Sequence, residues 1–188
     1  MKKYEVNIDL ANESKRDMSK VIDGNKNEKV LNKVGAFARL YDFQMEYIKQ
    51  PVLVLKTEEP GSKQLLAMQY NKIEGVCYDM IHHLINDCIV MGATPLVVQD
   101  AIICGKLDKE IVMRIVAAIA DACVQNGCVL TGGETSEQPG VLGASTYILT
   151  SSIVGVVDKE QIIDGSKIEP GDVVLALASN GVHTNGYT

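Results

Sequence analysis

Apolar positions along this chain recur with two periods. Residues 74–91 place Val76, Met80, Leu84, Cys88 and Met91 on one face at helical spacing. Asp79, His83 and Asp87 follow at i, i+4 and i+8 on another face, with Asn86 adjacent. Gly92 ends that helix, and Pro95 forbids its resumption. A second helix begins after Asp108, whose side chain can cap it, and stops at Gly127. Its stripe is Val112, Ile115, Val116, Ile119 and Cys123. Apolar runs of strand length occupy 51–57, 96–104 and 128–131. Residues 146–157, rich in β-branched side chains, read as a fourth strand. Residues 172–178 read as a fifth, behind turns at Asp164-Gly165 and Pro170-Gly171. Residues 58–63 read as a turn. Helices and strands alternate early and strands cluster late. That order predicts an α+β fold, a mixed β-sheet with helices packed on one face.

Residues 1–32 are polar and weakly periodic, which reads as an N-terminal arm or short helices, partly disordered. Val34 to Ala38 is a small-residue loop. At 188 residues the chain suits one domain with an appended arm. Its 46% apolar content is enough for a sizeable core. A net charge of −6 argues against a sequence-independent grip on nucleic acid. No Lys/Arg-rich run suits an anionic membrane, and no apolar stretch is long enough to span one. Nothing behind Met1 resembles a secretory signal. The five cysteines are scattered in apolar runs, and none forms a C-x-x-C pair. They read as small buried hydrophobes in a reducing, cytoplasmic protein. The chain ends on the polar, Gly-rich stretch Ser179 to Thr188, which reads as the end of a fragment.

The candidate chemistry centres on Thr131-Gly132-Gly133-Glu134-Thr135-Ser136-Glu137, directly after an apolar run. Glycines let backbone N–H groups approach a ligand, and carboxylates beside them suit a hard cation held between protein oxygens and phosphates. The same segment also reads as a polar turn between two strands. Asp100 interrupts the apolar strand 96–104, where a carboxylate needs a partner or a metal. A phosphate-binding P-loop is excluded, because Gly61-Ser62-Lys63 lacks the required spacing. His82 and His83 are neighbours and do not face one site on a helix.

Several separated motifs occur in one order. They are Asn86-Asp87 with Gly92-Ala93-Thr94-Pro95-Leu96; Gly105-Lys106-Leu107-Asp108; Gly132-Gly133-Glu134-Thr135-Ser136-Glu137 with Pro139-Gly140; Ile162 to Lys167 with Gly171-Asp172; and Gly181-Val182-His183-Thr184-Asn185-Gly186-Tyr187. Together they resemble the N-terminal half of the aminoimidazole ribonucleotide synthetase family, the phosphoribosylformylglycinamidine cyclo-ligases, across roughly residues 33–188. The resemblance implies an ATP-binding N-terminal domain at 33–188, with the family's second, C-terminal domain absent from this chain. It implies an ATP-dependent ligase of de novo purine biosynthesis that closes the ring of formylglycinamidine ribonucleotide, with ATP and Mg²⁺ as cofactors. It further implies a homodimer formed through the N-terminal sheet and a small-molecule ribonucleotide substrate, with neither nucleic acid nor membrane as partner. The pairing of Val/Ile-rich strands with helices on a single face also favours a dimer.

Residue by residue, the resemblance assigns Lys63, Asp87, Asp100, Gly132, Gly133 and Glu134 to the nucleotide. It assigns Glu58, Asp87 and Glu134 to the metal, and His183 and Asn185 to a loop near the substrate's phosphate or reacting end. Plainer readings stand beside these: a solvated helix face for Asp87, a surface lysine for Lys63, and a chain terminus for His183 and Asn185. Two places depart from the family pattern. Where the family reads Thr-Asp-Gly-Val-Gly-Thr-Lys, this chain has Thr57-Glu58-Glu59-Pro60-Gly61-Ser62-Lys63. Glu58 sets the carboxylate one methylene further out, Glu59 adds charge, and Pro60 removes an N–H donor. The glycine-rich loop near the N-terminus is reduced to Gly35-Ala36-Phe37-Ala38, and the lead-in Tyr4 to Asp9 is faint. These departures leave two alternatives to the ligase. One is a non-catalytic paralogue kept as a dimerisation or binding module. The other is a related ATP-using enzyme with a different acceptor, similar to selenophosphate synthetase or thiamine-monophosphate kinase.

Overall fold

Strands β1 (Pro51–Glu58), β2 (Thr94–Cys104), β3 (Val129–Glu137) and β4 (Tyr147–Asp158) form one sheet in the spatial order β1-β4-β2-β3. The β1–β4 and β4–β2 pairs are antiparallel, and β2–β3 is parallel. This computed structural model describes residues 5–25, 27–35, 37–179, 181–183 and 185. The sequence readings that involve Tyr4, Ala36, Asn180, Thr184, Gly186, Tyr187 and Thr188 lie outside those residues.

The period of two in β2 decides which face is covered. Leu96, Val98, Ile102 and Cys104 are buried, while Val97, Gln99, Ala101 and Ile103 are not. Strand β4 alternates the same way, with Leu149 and Ile153 buried. The covered face meets α3 (Ile73–Ile89) and α4 (Lys109–Gln125), which also pack on each other. Asp108 caps α4, its carboxylate accepting from the N–H groups of Glu110 (2.9 Å) and Ile111 (3.2 Å). Gly127, at φ 72°, ends that helix in the left-handed region. Ile115, Val116 and Ile119 are buried in the core, each worth roughly 1.5–3 kcal/mol of burial. The α+β architecture with helices on one face of a mixed sheet is therefore present.

Two local expectations need extending and two need correction. The polar segment 1–32 contains a 17-residue helix, α1 (Ile8–Gly24), packed on α4. Asn7 caps it, accepting from Leu10 N at 3.0 Å, and Lys109 of α4 pairs with Asp17 at 2.6 Å. A narrow apolar edge of Leu10, Met18, Val21 and Ile22 reaches the core, which is too thin a stripe to dominate a polar sequence. The turn expected at 58–63 runs into a short helix, α2 (Lys63–Gln69).

The glycine pair is no turn after a strand. Gly132, Gly133 and Glu134 lie inside β3, which continues to Glu137. They stay in register because Gln99, Asp100 and Ala101 of β2 pair with them beyond a bulge. Finally, residues 172–178 form no strand. Val173, Val174, Leu175 and Leu177 are strongly exposed. β-Propensity reflects packing on a pleated surface, and nothing among the described residues pairs with this segment.

Candidate functional site

The uncovered face of the sheet carries a polar floor. Pairing aligns Thr57, Ser152, Gln99 and Gly132 in one row across all four strands. The next row holds Thr150, Ala101 and Glu134. The hydroxyls of Thr57 and Ser152 share a hydrogen bond of 2.8 Å, and Thr150 donates to the carbonyl of Glu58 at 3.0 Å. Above this floor, the segment holding Val34, Gly35, Phe37, Ala38 and Arg39 forms a wall. The open cavity between them has a volume of about 370 Å³. Asp100, Gly132, Gly133 and Glu134, four residues read from the sequence as nucleotide-binding, all line it.

Asp100 sits where the two faces communicate. It belongs to the helix-facing set with Val98 and Ile102 and is 9% exposed. Burial pushes its carboxyl up to about 7, countered weakly by its own backbone N–H. Gly133 lies opposite it in β3, where a β-carbon would overlap the Asp100 carbonyl and carboxyl oxygens. On its other side stands Ser151 of β4, whose buried hydroxyl has no hydrogen-bond partner among the described residues. A carboxyl and an unsatisfied hydroxyl side by side in an apolar layer are costly to keep.

A second polar group lies on the helix-facing side, at the end of β1. Glu58, His83 and Asp87 place one ligand atom each within 4.8 Å of one another. The imidazole Nδ1 is 3.9 Å from Glu58 and Nε2 is 3.8 Å from Asp87. Lys56 bridges the two carboxylates, at 2.7 Å from Glu58 and 3.0 Å from Asp87. Its hydrogen bonds to Glu58 and then Asp87 raise the ammonium above its ordinary value. One helical turn away, Lys63 of α2 pairs with Asp79 of α3 at 2.8 Å. The i, i+4, i+8 row of α3 is thus used along its length.

The structure separates other candidates. Glu134 and Glu58 sit on the two opposite edge strands, about 14 Å apart at the usual strand spacing. One ion at about 2.1 Å from each ligand cannot take both from a single chain. His183 and Asn185 are exposed, with His183 Nε2 3.2 Å from the Ser179 hydroxyl, and neither lines the cavity. Sequence reasoning passed over Lys56, Arg39 and Ser151, and set His83 aside as a partner for His82 without pairing it with Asp87 as a ligand. The i, i+4 spacing of His83 and Asp87 was a usable signal. Nothing local marks Arg39, whose partners lie as far as 92 residues away.

Comparison with known proteins bears on the family and the fold. Residues 44–157 match the family described as AIR synthase related protein, N-terminal domain. A phosphoribosylformylglycinamidine cyclo-ligase of Methylobacillus flagellatus is 46% identical over 159 residues, covering 85% of this chain and 46% of that protein. The chain spans about half the length of the curated relatives it matches. The hydrogenase maturation protein HypE of E. coli shares the fold at a TM-score of 0.55 and 14% identity, over 80% of this chain and 44% of that one. A HypE structure in complex with ATP matches at a TM-score of 0.50 and 18% identity, over 83% of this chain and 41% of that one.

Proposed function

Because this chain belongs to the AIR synthase related protein family, we propose that it is the nucleotide-binding N-terminal part of a purine-pathway cyclo-ligase. Its substrates would be ATP and formylglycinamidine ribonucleotide, and its product aminoimidazole ribonucleotide. The observation that carries this reading is the glycine pair of β3 and Glu134, which meet Asp100 in one cavity. The name of the Methylobacillus flagellatus relative supplies the reaction class, and the ATP complex of HypE favours the cofactor.

In such a ring closure, phosphoryl transfer turns the substrate's amide oxygen into a leaving group. An internal nitrogen attacks the same carbon; the C–N bond forms, the C–O bond breaks and phosphate departs. The protein's share is positioning and charge neutralisation. Gly132, with nothing within 4 Å of where a β-carbon would stand, leaves room for phosphates at the strand surface, and Glu134 supplies a carboxylate beside it. The donor set at Glu58 and Asp87 fits a hard divalent cation, because the Lys56 ammonium already stands between these carboxylates as a positive charge. Lys56 is 40% exposed and has room to move aside. Mg²⁺ bound there would supply positive charge at the β1 edge of the sheet, at the opposite edge from the glycine pair. Lys63 and Asp87 complete the nucleotide side in this reading, and His183 and Asn185 the acceptor side. Five free cysteines accord with a reducing cytoplasmic setting. Among the described residues, no helix is long and apolar enough to cross a membrane.

One observation favours a second reading, a non-catalytic binding module. Lys56 neutralises Glu58 and Asp87 from within the chain, next to the substituted Glu59-Pro60. Calorimetric titration with ATP, with and without Mg²⁺, separates the two. The ligase reading expects saturable, Mg²⁺-dependent binding that weakens about tenfold in Glu134→Ala. Absence of binding in the wild type would favour the module.

The uncovered sheet face also suits a second copy of this chain. Leu53 and Leu55 are 51% and 68% exposed, and half-buried Val154 continues the apolar band beside them. A homodimer is expected at micromolar concentration, with Leu55→Asp shifting it to monomer by at least about tenfold in Kd. Light scattering that finds a wild-type monomer would overturn the dimer.

A further inference from the structure

Arg39 joins three separate stretches of chain beside the cavity. Its Nε donates to the carbonyl of Thr131 at 2.7 Å, one residue before the glycine pair. One terminal nitrogen donates to the carbonyl of Asn32, and the other to the Asp23 carboxylate at 2.7 Å. The side chain is only 10% exposed. Asp23, near the end of α1, also accepts from the N–H of Val34 at 3.1 Å. Asn32 ties the same stretch to itself, donating to the Ala38 carbonyl and accepting from Leu40 N, both at 2.8 Å. The guanidinium therefore fastens residues 32–35 and 37–40 to the end of α1 and to β3 at once. This stretch supplies the cavity wall and leaves Phe37 fully exposed at its mouth.

We propose that Arg39 is a positioning residue that latches residues 32–35 and 37–40 onto β3 and holds the cavity wall ready for a nucleoside triphosphate. A planar guanidinium can donate in three directions from one buried position, which a lysine ammonium on a flexible stem cannot reproduce. A wall held in its bound form spares the ligand the cost of ordering it. The ligand class rests on the nucleotide reading above; the latch itself rests on the hydrogen bonds.

The experiment compares wild type with Arg39→Ala and Arg39→Lys. It measures hydrogen exchange at the Val34 and Leu40 amides and calorimetric titration with MgATP. Arg39→Ala should speed exchange at both amides and weaken MgATP about tenfold. Arg39→Lys should behave more like the alanine variant than like wild type. Asp23→Asn, which keeps an acceptor and loses the charge, should loosen the same amides less; it serves where the alanine variant fails to fold. A lowered melting temperature with unchanged exchange at the two amides overturns the latch. Faster exchange with unchanged MgATP affinity overturns its role in binding. If the wild type takes no MgATP, the nucleotide reading fails by itself. Exchange then decides the latch alone, faster supporting it and unchanged overturning it.

Discussion

Gly133→Ala is expected to destabilise the fold by at least about 3 kcal/mol. A β-carbon there would overlap the carbonyl oxygen, carbonyl carbon and carboxyl oxygen of Asp100. Two of those atoms are backbone in a hydrogen-bonded parallel pair, so rotamer change cannot relieve the clash. Strands β2 and β3 would have to separate where their register already shifts between Val98 and Gln99. Set against the 5–15 kcal/mol typical of a domain, that loss removes a large share of the stability. Gly75→Ala is the control. It lies inside α3 with nothing within 4 Å of the added carbon and should gain roughly 0.5–1 kcal/mol. Urea denaturation of both variants decides the matter. A Gly133→Ala variant within about 1 kcal/mol of wild type would mean that β2 and β3 do not approach as described.

The glycine pair also shows how far the sequence could be read. Helices α3 and α4 were legible because apolar stripes and caps are local signals, as at Val76, Met80 and Leu84 or at Asp108 and Gly127. The central strands were legible from their apolar runs. What failed was decided by pairing. Gly132 to Glu137 looks like a turn, yet it is strand because β2 lies alongside it. Val173 to Leu177 looks like strand and is exposed because nothing among the described residues pairs with it. Helix α1 was obscured because Lys109, which neutralises Asp17, comes from another element. The cavity followed the same rule. Asp100 and Glu134 could be picked out by chemistry, but Arg39 became visible only once Asp23, Asn32 and Thr131 were brought around it.

Asp100→Asn is expected to abolish a pH dependence of stability that the wild type shows near neutrality. Burial holds the folded carboxyl at about 7 against 3.8 in the open chain. Between those values the folded state binds more protons than the unfolded one. Wild-type stability should therefore fall as pH rises from about 4 to about 7 and level off above it. The full difference corresponds to about 4 kcal/mol. Asn is close in shape and carries no charge, so its curve should lack this step. At pH 8 the variant gains what the wild type spends on ionising in place, less about 1–3 kcal/mol for an amide without partners. Two carboxylates drop out of this pH window. Asp17 and Glu74 are held at about 2 by hydrogen bonds from Lys109 and Arg114, so they titrate below it. Groups whose surroundings the substitution leaves unchanged cancel in the variant-minus-wild-type difference. Urea midpoints at pH 5, 6, 7 and 8 measure it. Parallel curves would mean that Asp100 ionises freely, and that its place beside Gly133 and the unpartnered Ser151 hydroxyl costs nothing. A variant advantage at pH 8 that shrinks and reverses as pH falls would show a carboxyl kept against the stability of the fold, which is the pattern expected of a residue retained for binding.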